Sequence, residues 1–265
     1  MSGAGKLVSL LSLLRSSPRE FLDRVAMLMD VRLEALRPRG PTPAAEELAD
    51  ALARLDTASG LHISRFMEEL ALKLFAEAMR LRIAGLDPST DIPAAYNADP
   101  VLARFCYAVC RALEPAVVVE TGVAHGVTSA FILEALDLNG RGTLHSVDLP
   151  PLGRDVDRMV GGLIPHELKK RWRLHRGVSE RLLPTLLREL GSVDLFVHDS
   201  LHTYRNIRRE LDIVTPSLAR PSVVIADDAG GNAAFARWSA SVDAAFRGVL
   251  REEGKDAVFG VVLLR

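Results

Sequence analysis

The stretch Val117-Val-Val-Glu-Thr-Gly-Val-Ala-His-Gly-Val-Thr-Ser129 decides how the chain is read. It opens on a β-branched run, turns through Gly122 and Gly126, and runs into a helical pattern at about 126–137. Glycine takes up turn conformations freely, and a helix start offers unpaired N–H groups to a ligand, so this is the first half of a βαβ unit with a binding turn. The spacing is E-x-G-x-x-x-G. It is neither the G-x-G-x-x-G of dinucleotide sites nor the G-K-[ST] of a phosphate loop.

Working outward, short apolar runs at 116–120, 143–148, 193–198, 221–227 and 257–264 read as strands. Helical spacing falls between them at about 100–113, 126–137, 180–190, 203–215 and 233–252. Such alternation predicts an α/β fold, a Rossmann-like, doubly wound and mostly parallel sheet with helices on both faces. Ligands of these sheets sit outside the carboxyl ends of the strands, so chemistry is sought there.

The first hundred residues read differently, as helices with breakers. Ser17-Pro-Arg-Glu20 has the pattern of a capping box and starts a helix to about Leu36, with Leu22, Val25, Leu28, Met29 and Leu33 at helical spacing. The break at 37–41 ends it; Thr42-Pro43 starts another, and Leu61–Ala84 reads as a third, closing at Gly85. The Pro- and Asp-rich segment 87–97 is the expected hinge. The chain is thus divided into an N-terminal helical extension, 1–97, and a ligand-binding domain, 98–265. The apolar run Leu7–Leu14 is too short to span a membrane and leaves room for self-association through the N-terminal helices, a packed helix being the plainer reading.

Composition excludes several classes. Of 265 residues, 33 are Lys or Arg and 34 Asp or Glu, a formal charge of −1. A dedicated nucleic-acid binder usually carries a basic excess, so no nucleic-acid partner is expected. With 48% hydrophobic residues the chain can bury a core, which disordered sequences cannot. No membrane span is expected, and no small-residue cleavage site follows Leu7–Leu14, so the expected location is cytoplasmic. Cys106 and Cys110 lack the second pair that a zinc site needs and read as reduced, buried thiols.

The strand ends carry the candidate chemistry. His145-Ser-Val-Asp148 places an acid about twenty residues beyond the glycine turn, where a carboxylate accepts both hydroxyls of a ribose; a basic residue for a 2′-phosphate is absent. Val193-Asp-Leu-Phe-Val-His-Asp199-Ser-Leu-His202 and Val223-Val-Ile-Ala-Asp227-Asp228 bring three carboxylates to one sheet edge. Such groups repel unless protons or a cation compensate, which points to a hard divalent ion, Mg²⁺ or another, held by Asp199, Asp227 and Asp228. His202, three residues past Asp199, can face the same site as a base. The bland alternatives are Asp199 as a helix cap and Asp227-Asp228 as a turn.

Together these motifs resemble the class I S-adenosylmethionine-dependent methyltransferases. The resemblance implies that Glu120, Thr121, Gly122, Gly126, Thr128 and Ser129 surround the methionine end of S-adenosyl-L-methionine. It further implies that Asp148 takes the ribose, that Ser179 lies near the adenine, and that Asp199 borders the cofactor. Ala124 departs from the pattern, since many members have glycine there. D-x-x-H followed by an acidic pair is similar to the metal-dependent O-methyltransferases of sugar hydroxyls, those acting on macrolide sugars and mycobacterial methylmannose-type polysaccharides. That likeness covers about residues 100–265 and includes Ile164–Trp172 and Asn232-Ala-Ala-Phe235.

The reaction so implied is methyl transfer to a hydroxyl of a small-molecule or oligosaccharide acceptor. His202 would be the base, and Tyr204, Asn232 and Phe235 would stand beside the acceptor under a lid at 150–165. Two alternatives stand beside it: an O-methyltransferase of phenolic or other small hydroxylated metabolites, and a binding subunit of the same fold that transfers nothing.

Overall fold

The computed structural model describes residues 3–37, 44–87, 91–93, 100–153, 155–251 and 258–265. The expected 97/98 boundary and the start of a helix at Thr42-Pro43 lie outside them. In chain order the elements begin with α1 (Gly3–Ser16), α2 (Pro18–Ala35), β1 (Glu46–Glu47), α3 (Leu48–Ser59), α4 (Ile63–Met67) and α5 (Leu70–Ala84). Then come α6 (Pro100–Leu113), β2 (Val117–Thr121), α7 (Val127–Leu138), β3 (Thr143–Asp148), α8 (Val156–Met159), β4 (Trp172–Arg176) and α9 (Ser179–Leu190). The chain closes with β5 (Val193–His198), α10 (Tyr204–Val214), β6 (Leu218–Asp227), α11 (Ala234–Ser241), β7 (Ala244–Arg251) and β8 (Val258–Leu264).

The strands form one sheet in the order β1-β7-β8-β6-β5-β2-β3-β4. Strands β2 to β6 run parallel; β8 is antiparallel to both β6 and β7. The order reverses between β2 and β5, and a crevice opens at the carboxyl ends on either side of that point. The middles of β2, β5 and β6 (Val117–Val119, Leu195–Val197 and Val223–Ala226) are continuous apolar runs because helices cover both their faces. Alternate side chains sort accordingly: Val118, Leu195, Val223 and Ile225 join the core under α3, α4, α6 and α7. Val119, Phe196, Val224 and Ala226 join the core under α9, α10 and α11. Residues of α3, α4 and α5 share the first of these cores with the sheet, through Leu55, Ile63 and Leu72 among others. No described helix is long and apolar enough to cross a membrane. Cys106 and Cys110 are free and buried on α6.

Several local expectations differ from the structure. The helix expected at 61–84 is two, broken at Glu68-Glu69. That expected at 233–252 stops at Ser241, and β7 follows. Phe246 and Leu250 suggested helical spacing, but four residues apart is also same-face spacing in a strand, and pairing with β8 decides the matter. β4 was not anticipated, because an exposed edge strand of sequence Trp-Arg-Leu-His-Arg carries little apolar signal. Ser17 precedes α2, but its side chain makes no capping bond. Glu20 instead accepts from Arg24 (2.7 Å) and Arg176 (2.7 Å). Those two guanidiniums hold its carboxyl well below the usual range, at about 2, against the opposing effect of burial.

α2 is also inverted relative to its apolar spacing. Leu22, Leu28, Met29, Leu33 and Leu36 face solvent, whereas Arg24 and Asp30 are buried. The acids at 20, 23, 30 and 34 share one face and tie the helix down. Arg176 pairs with Glu20 at 2.7 Å, Arg181 with Asp23 at 2.9 Å, and Arg205 and Arg209 with Asp30 at 3.2 and 3.6 Å. The Tyr204 backbone N–H donates to Glu34 at 3.0 Å. α2 thereby roofs the crevice. Leu7, Val8, Leu11 and Leu14 of α1 are exposed.

Candidate active site

The crevice is a cavity of about 900 Å³ at the strand carboxyl ends, at the upper end of the range for small-molecule sites, roughly 300–1,000 Å³. Its floor is Gly122–Ala124, one side is Asp148 with Gly177–Glu180, the other is Asp199–His202 with Asp227 and Asp228, and α2 closes the top.

Backbone contacts knit the floor. Asp199 N–H donates to the Thr121 carbonyl (2.9 Å), and Gly122 N–H to that of Val147 (2.9 Å). Gly122 has φ +84°, and a Cβ there would lie 1.9 Å from the Asp199 carbonyl oxygen. Only glycine lets β2 and β5 meet so closely. Ala124 holds φ +48° without that freedom, a left-handed conformation that costs an L-residue about 1–2 kcal/mol. Gly126 caps α7 with φ +87° and presses against Gly161 and Ile164, behind the cavity wall.

Glu120 also lies behind the floor, fully buried. Its Oε2 accepts from Ser129 Oγ and Ser146 Oγ, both at 2.7 Å, and Trp172 Nε1–H donates to Ser146 Oγ at 2.9 Å. Glu120, Thr121, Thr128 and Ser129 thus sit beneath the turn and are not among the cavity-lining residues. Burial pushes the Glu120 carboxyl up to about 7 despite its two hydroxyl donors. Its value in the unfolded chain is near 4.5, so the folded protein binds the extra proton between these values. The associated stability is complete below pH 4.5 and is lost as pH rises through 7. Urea unfolding at pH 5 and pH 8 is expected to show this fall, on the order of 3 kcal/mol, and Glu120→Gln to flatten it. Equal pH slopes in the two proteins would count against a raised Glu120.

Asp148 lines the cavity at the end of β3. Burial raises its carboxyl to about 6, against the Leu149 N–H and nearby Arg176 and Arg24. Ser179 starts α9 on the same wall.

Opposite, one ligand atom each of Asp199, His202 and Asp227 lies within 4.8 Å of the others. Burial first, then the Asp227 and Glu120 charges, pushes Asp199 well above the carboxylate range. Asp227 is raised too, by burial and by Asp228, against His202. Asp228, at φ +49°, turns out of this trio and hydrogen-bonds His202 Nδ1 at 2.7 Å. That bond lowers the Asp228 carboxyl, and with Asp227 it raises the imidazole in spite of burial. His202 Nε2 is buried, has no hydrogen-bond partner among the described residues, and stands 3.7 Å from Asp199 Oδ1. The geometry groups His202 with Asp199 and Asp227, and gives Asp228 to the far nitrogen of the ring.

The three residues expected beside an acceptor are placed away from the cavity wall. Phe235 is 2% exposed and packs against Trp238 in the core. Asn232 ties the start of α11 to the His202 loop, its Oδ1 accepting from Ala234 N–H (3.0 Å) and its Nδ2 donating to the His202 carbonyl (3.1 Å). The Tyr204 ring lies between the guanidiniums of Arg37 (4.2 Å) and Arg237 (5.6 Å). Phe235→Ala is therefore expected to cost about 3–5 kcal/mol in urea unfolding, the usual price of emptying an aromatic core site. A loss under about 1 kcal/mol would show that the ring is not core.

Sequence reasoning missed the cavity-lining Asn206 and Arg209 of α10 and did not single out α2, among the N-terminal helices, as the roof. The acids repeating along α2 were the available signal.

Residues 119–229 match a family model described as a methyltransferase domain. No curated protein sequence matches the chain. Among solved structures, the chain is similar to the O-methyltransferase TomG from Streptomyces achromogenes, involved in tomaymycin synthesis and solved with SAM. That match has TM-score 0.55 and 18% identity, covering 74% of this chain and 90% of that one. It is similar also to an O-methyltransferase from Bacillus cereus in complex with SAH, at TM-score 0.52 and 14% identity, covering 74% and 91%. Cofactor-bound Rv0187 from MTB matches at TM-score 0.53 and 17% identity, covering 86% and 99%. With the parallel sheet, the glycine turn and the cavity at the strand ends, these findings show that the chain has the class I S-adenosylmethionine-dependent methyltransferase fold, its residues 119–229 being similar to a methyltransferase domain.

Proposed function

We propose that the chain transfers a methyl group from S-adenosylmethionine to a hydroxyl of a sugar or oligosaccharide acceptor, aided by a divalent cation. The observation that carries this reading is that a ribose-type carboxylate, Asp148, and the Asp199, His202 and Asp227 group open into one cavity.

The residues present fit both groups. The half-buried Asp148 carboxylate suits a cofactor diol, and the glycine turn lets the ligand approach the backbone. Asp199 and Asp227 are half-buried carboxylates whose charges oppose each other, with the unpartnered Nε2 of His202 beside them. A hard cation with oxygen ligands relieves that repulsion. When bound, S-adenosylmethionine supplies an electrophilic methyl carbon and the cation supplies charge stabilisation at a hydroxyl oxygen.

The chain's own residues do the rest. Asp199 and Asp227 hold the cation. Asp228 accepts the Nδ1–H of His202, which fixes the ring and leaves Nε2 to take the acceptor proton. α2 covers the cavity and limits water at the reacting groups. Among the described residues that line the cavity there is no Phe, Tyr or Trp, whereas Asn206, Ser200, Asp30 and Arg209 offer hydrogen-bonding groups. A hydroxyl-rich acceptor suits such walls better than a flat phenol.

The test is an assay with S-adenosylmethionine and Mg²⁺ against mono- and oligosaccharides and a catechol, read by mass shift. Methylated sugars are expected. A methylated catechol with every sugar inert would move the acceptor to phenols. Calorimetric cofactor binding with no product from any acceptor would favour a binding subunit.

A further inference from the structure

Glu210 on α10 is fully buried, outside the cavity lining, and carries an unusual load of donors. Its Oε2 accepts from Thr121 Oγ1 and His198 Nδ1, both at 2.6 Å. Its Oε1 accepts from Ser200 Oγ at 2.8 Å and Asn206 Nδ2 at 3.0 Å. Burial works against the charge, yet His198 and the hydroxyls outweigh it and hold the carboxyl at about 2. An ionised carboxylate only accepts, so His198 Nδ1 must donate.

The donors come from the segments that frame the cavity. Thr121 ends β2 and precedes the Gly122 floor, whereas His198 ends β5 and precedes Asp199. Ser200 and Asn206 line the acid side. β2 and β5 are paired in register to their ends, Thr121 opposite His198, and Glu210 ties both ends to α10 from behind the cavity.

We propose that Glu210 is a positioning residue that fixes the distance between the cofactor floor and the Asp199 side of the site. The role rests on the methyl-transfer reading for its consequence in turnover, but the arrangement itself can be read without an acceptor. Glutamine has the shape of glutamate but turns an NH₂ toward one pair of donors. The hydroxyl of that pair can turn to accept, but its nitrogen donor, His198 Nδ1 or Asn206 Nδ2, then faces a donor and its bond is lost or rearranged.

Four quantities are measured for Glu210→Gln: Tm, Mn²⁺ affinity by calorimetry, and kcat and KM on the best acceptor. The folded variant is expected to lose about 10- to 100-fold in kcat, with acceptor KM within about threefold and Mn²⁺ affinity about tenfold weaker, as displaced reacting groups require. Loss of Tm alone, with kcat per folded molecule and Mn²⁺ affinity both within about twofold, overturns the proposal in favour of a purely structural role. Should Glu210→Gln not fold, the near-isosteric Thr121→Val removes one donor, and about a threefold loss in both readouts is expected, their constancy counting against the proposal. If the unsubstituted chain methylates nothing, the methyl-transfer reading fails by itself, and the Mn²⁺ comparison alone upholds or overturns the role of Glu210.

Discussion

His202→Ala is expected to lower kcat by about 10²–10⁴-fold, the range for removing a general base, while S-adenosylhomocysteine affinity stays near that of the unsubstituted chain. The expectation follows from the two nitrogens of the ring. Nδ1 is committed to Asp228 at 2.7 Å, and the unpartnered Nε2 is the atom turned toward the Asp199 side. Mn²⁺ titration separates the two roles that nitrogen can fill. A base leaves cation affinity in place when removed, whereas a ligand takes it away, because losing one of a few donors in a small site weakens binding severely. In the same assay EDTA is expected to abolish turnover and Mg²⁺ to restore it. Full activity in chelator would sink the cation proposal, and an unchanged kcat in His202→Ala would remove the residue as base.

Gly122→Ala is expected to be the most damaging single methyl addition in the chain's functional half. The φ of +84° alone costs an L-residue about 1–2 kcal/mol. The larger cost is steric: the new Cβ would sit 1.9 Å from the Asp199 carbonyl oxygen, and that oxygen belongs to the backbone and cannot rotate away. β2 and β5 must part, which breaks the Asp199 N–H to Thr121 bond and widens the floor. A total loss of about 3 kcal/mol or more is expected, with cofactor binding lost in whatever remains folded. The control is Ala124→Gly, two residues on, where relief at φ +48° and added unfolded-state freedom roughly offset. A Gly122→Ala protein with unchanged urea midpoint and cofactor affinity would contradict the close approach of the two strands.

The strands that build the site were legible because both their faces are covered, and continuous apolar runs such as those within 193–198 and 221–227 are hard to mistake. Their ends were legible for a related reason: Asp148, Asp199 and Asp227 close or follow buried strands at the crevice, whereas Glu120, one residue before the end of β2, turns behind the floor. β4 and β7 were not, the first because an edge strand is polar, the second because Phe246 and Leu250 satisfy two periods at once. The acidic cluster was foreseen by its residues but not by its partition, since the backbone at Asp228, with φ +49°, decides which carboxylate turns toward His202. Asn232 and Phe235 were adjacent in sequence to that cluster, but a cap and a core position claimed them. Glu210 gave no signal, because its partners are brought together only by the sheet.

The inverted helix α2 has a consequence for how this molecule can change. None of its residues belongs to a hydrophobic core cluster, yet Leu22, Ala26 and Met27 line the cavity. Mutations that alter what the roof touches therefore draw almost nothing from the stability of the sheet. The reactive floor is hard to vary and the ceiling is easy. Descendants of such a chain can diverge in the molecules they accept while the machinery beneath stays the same.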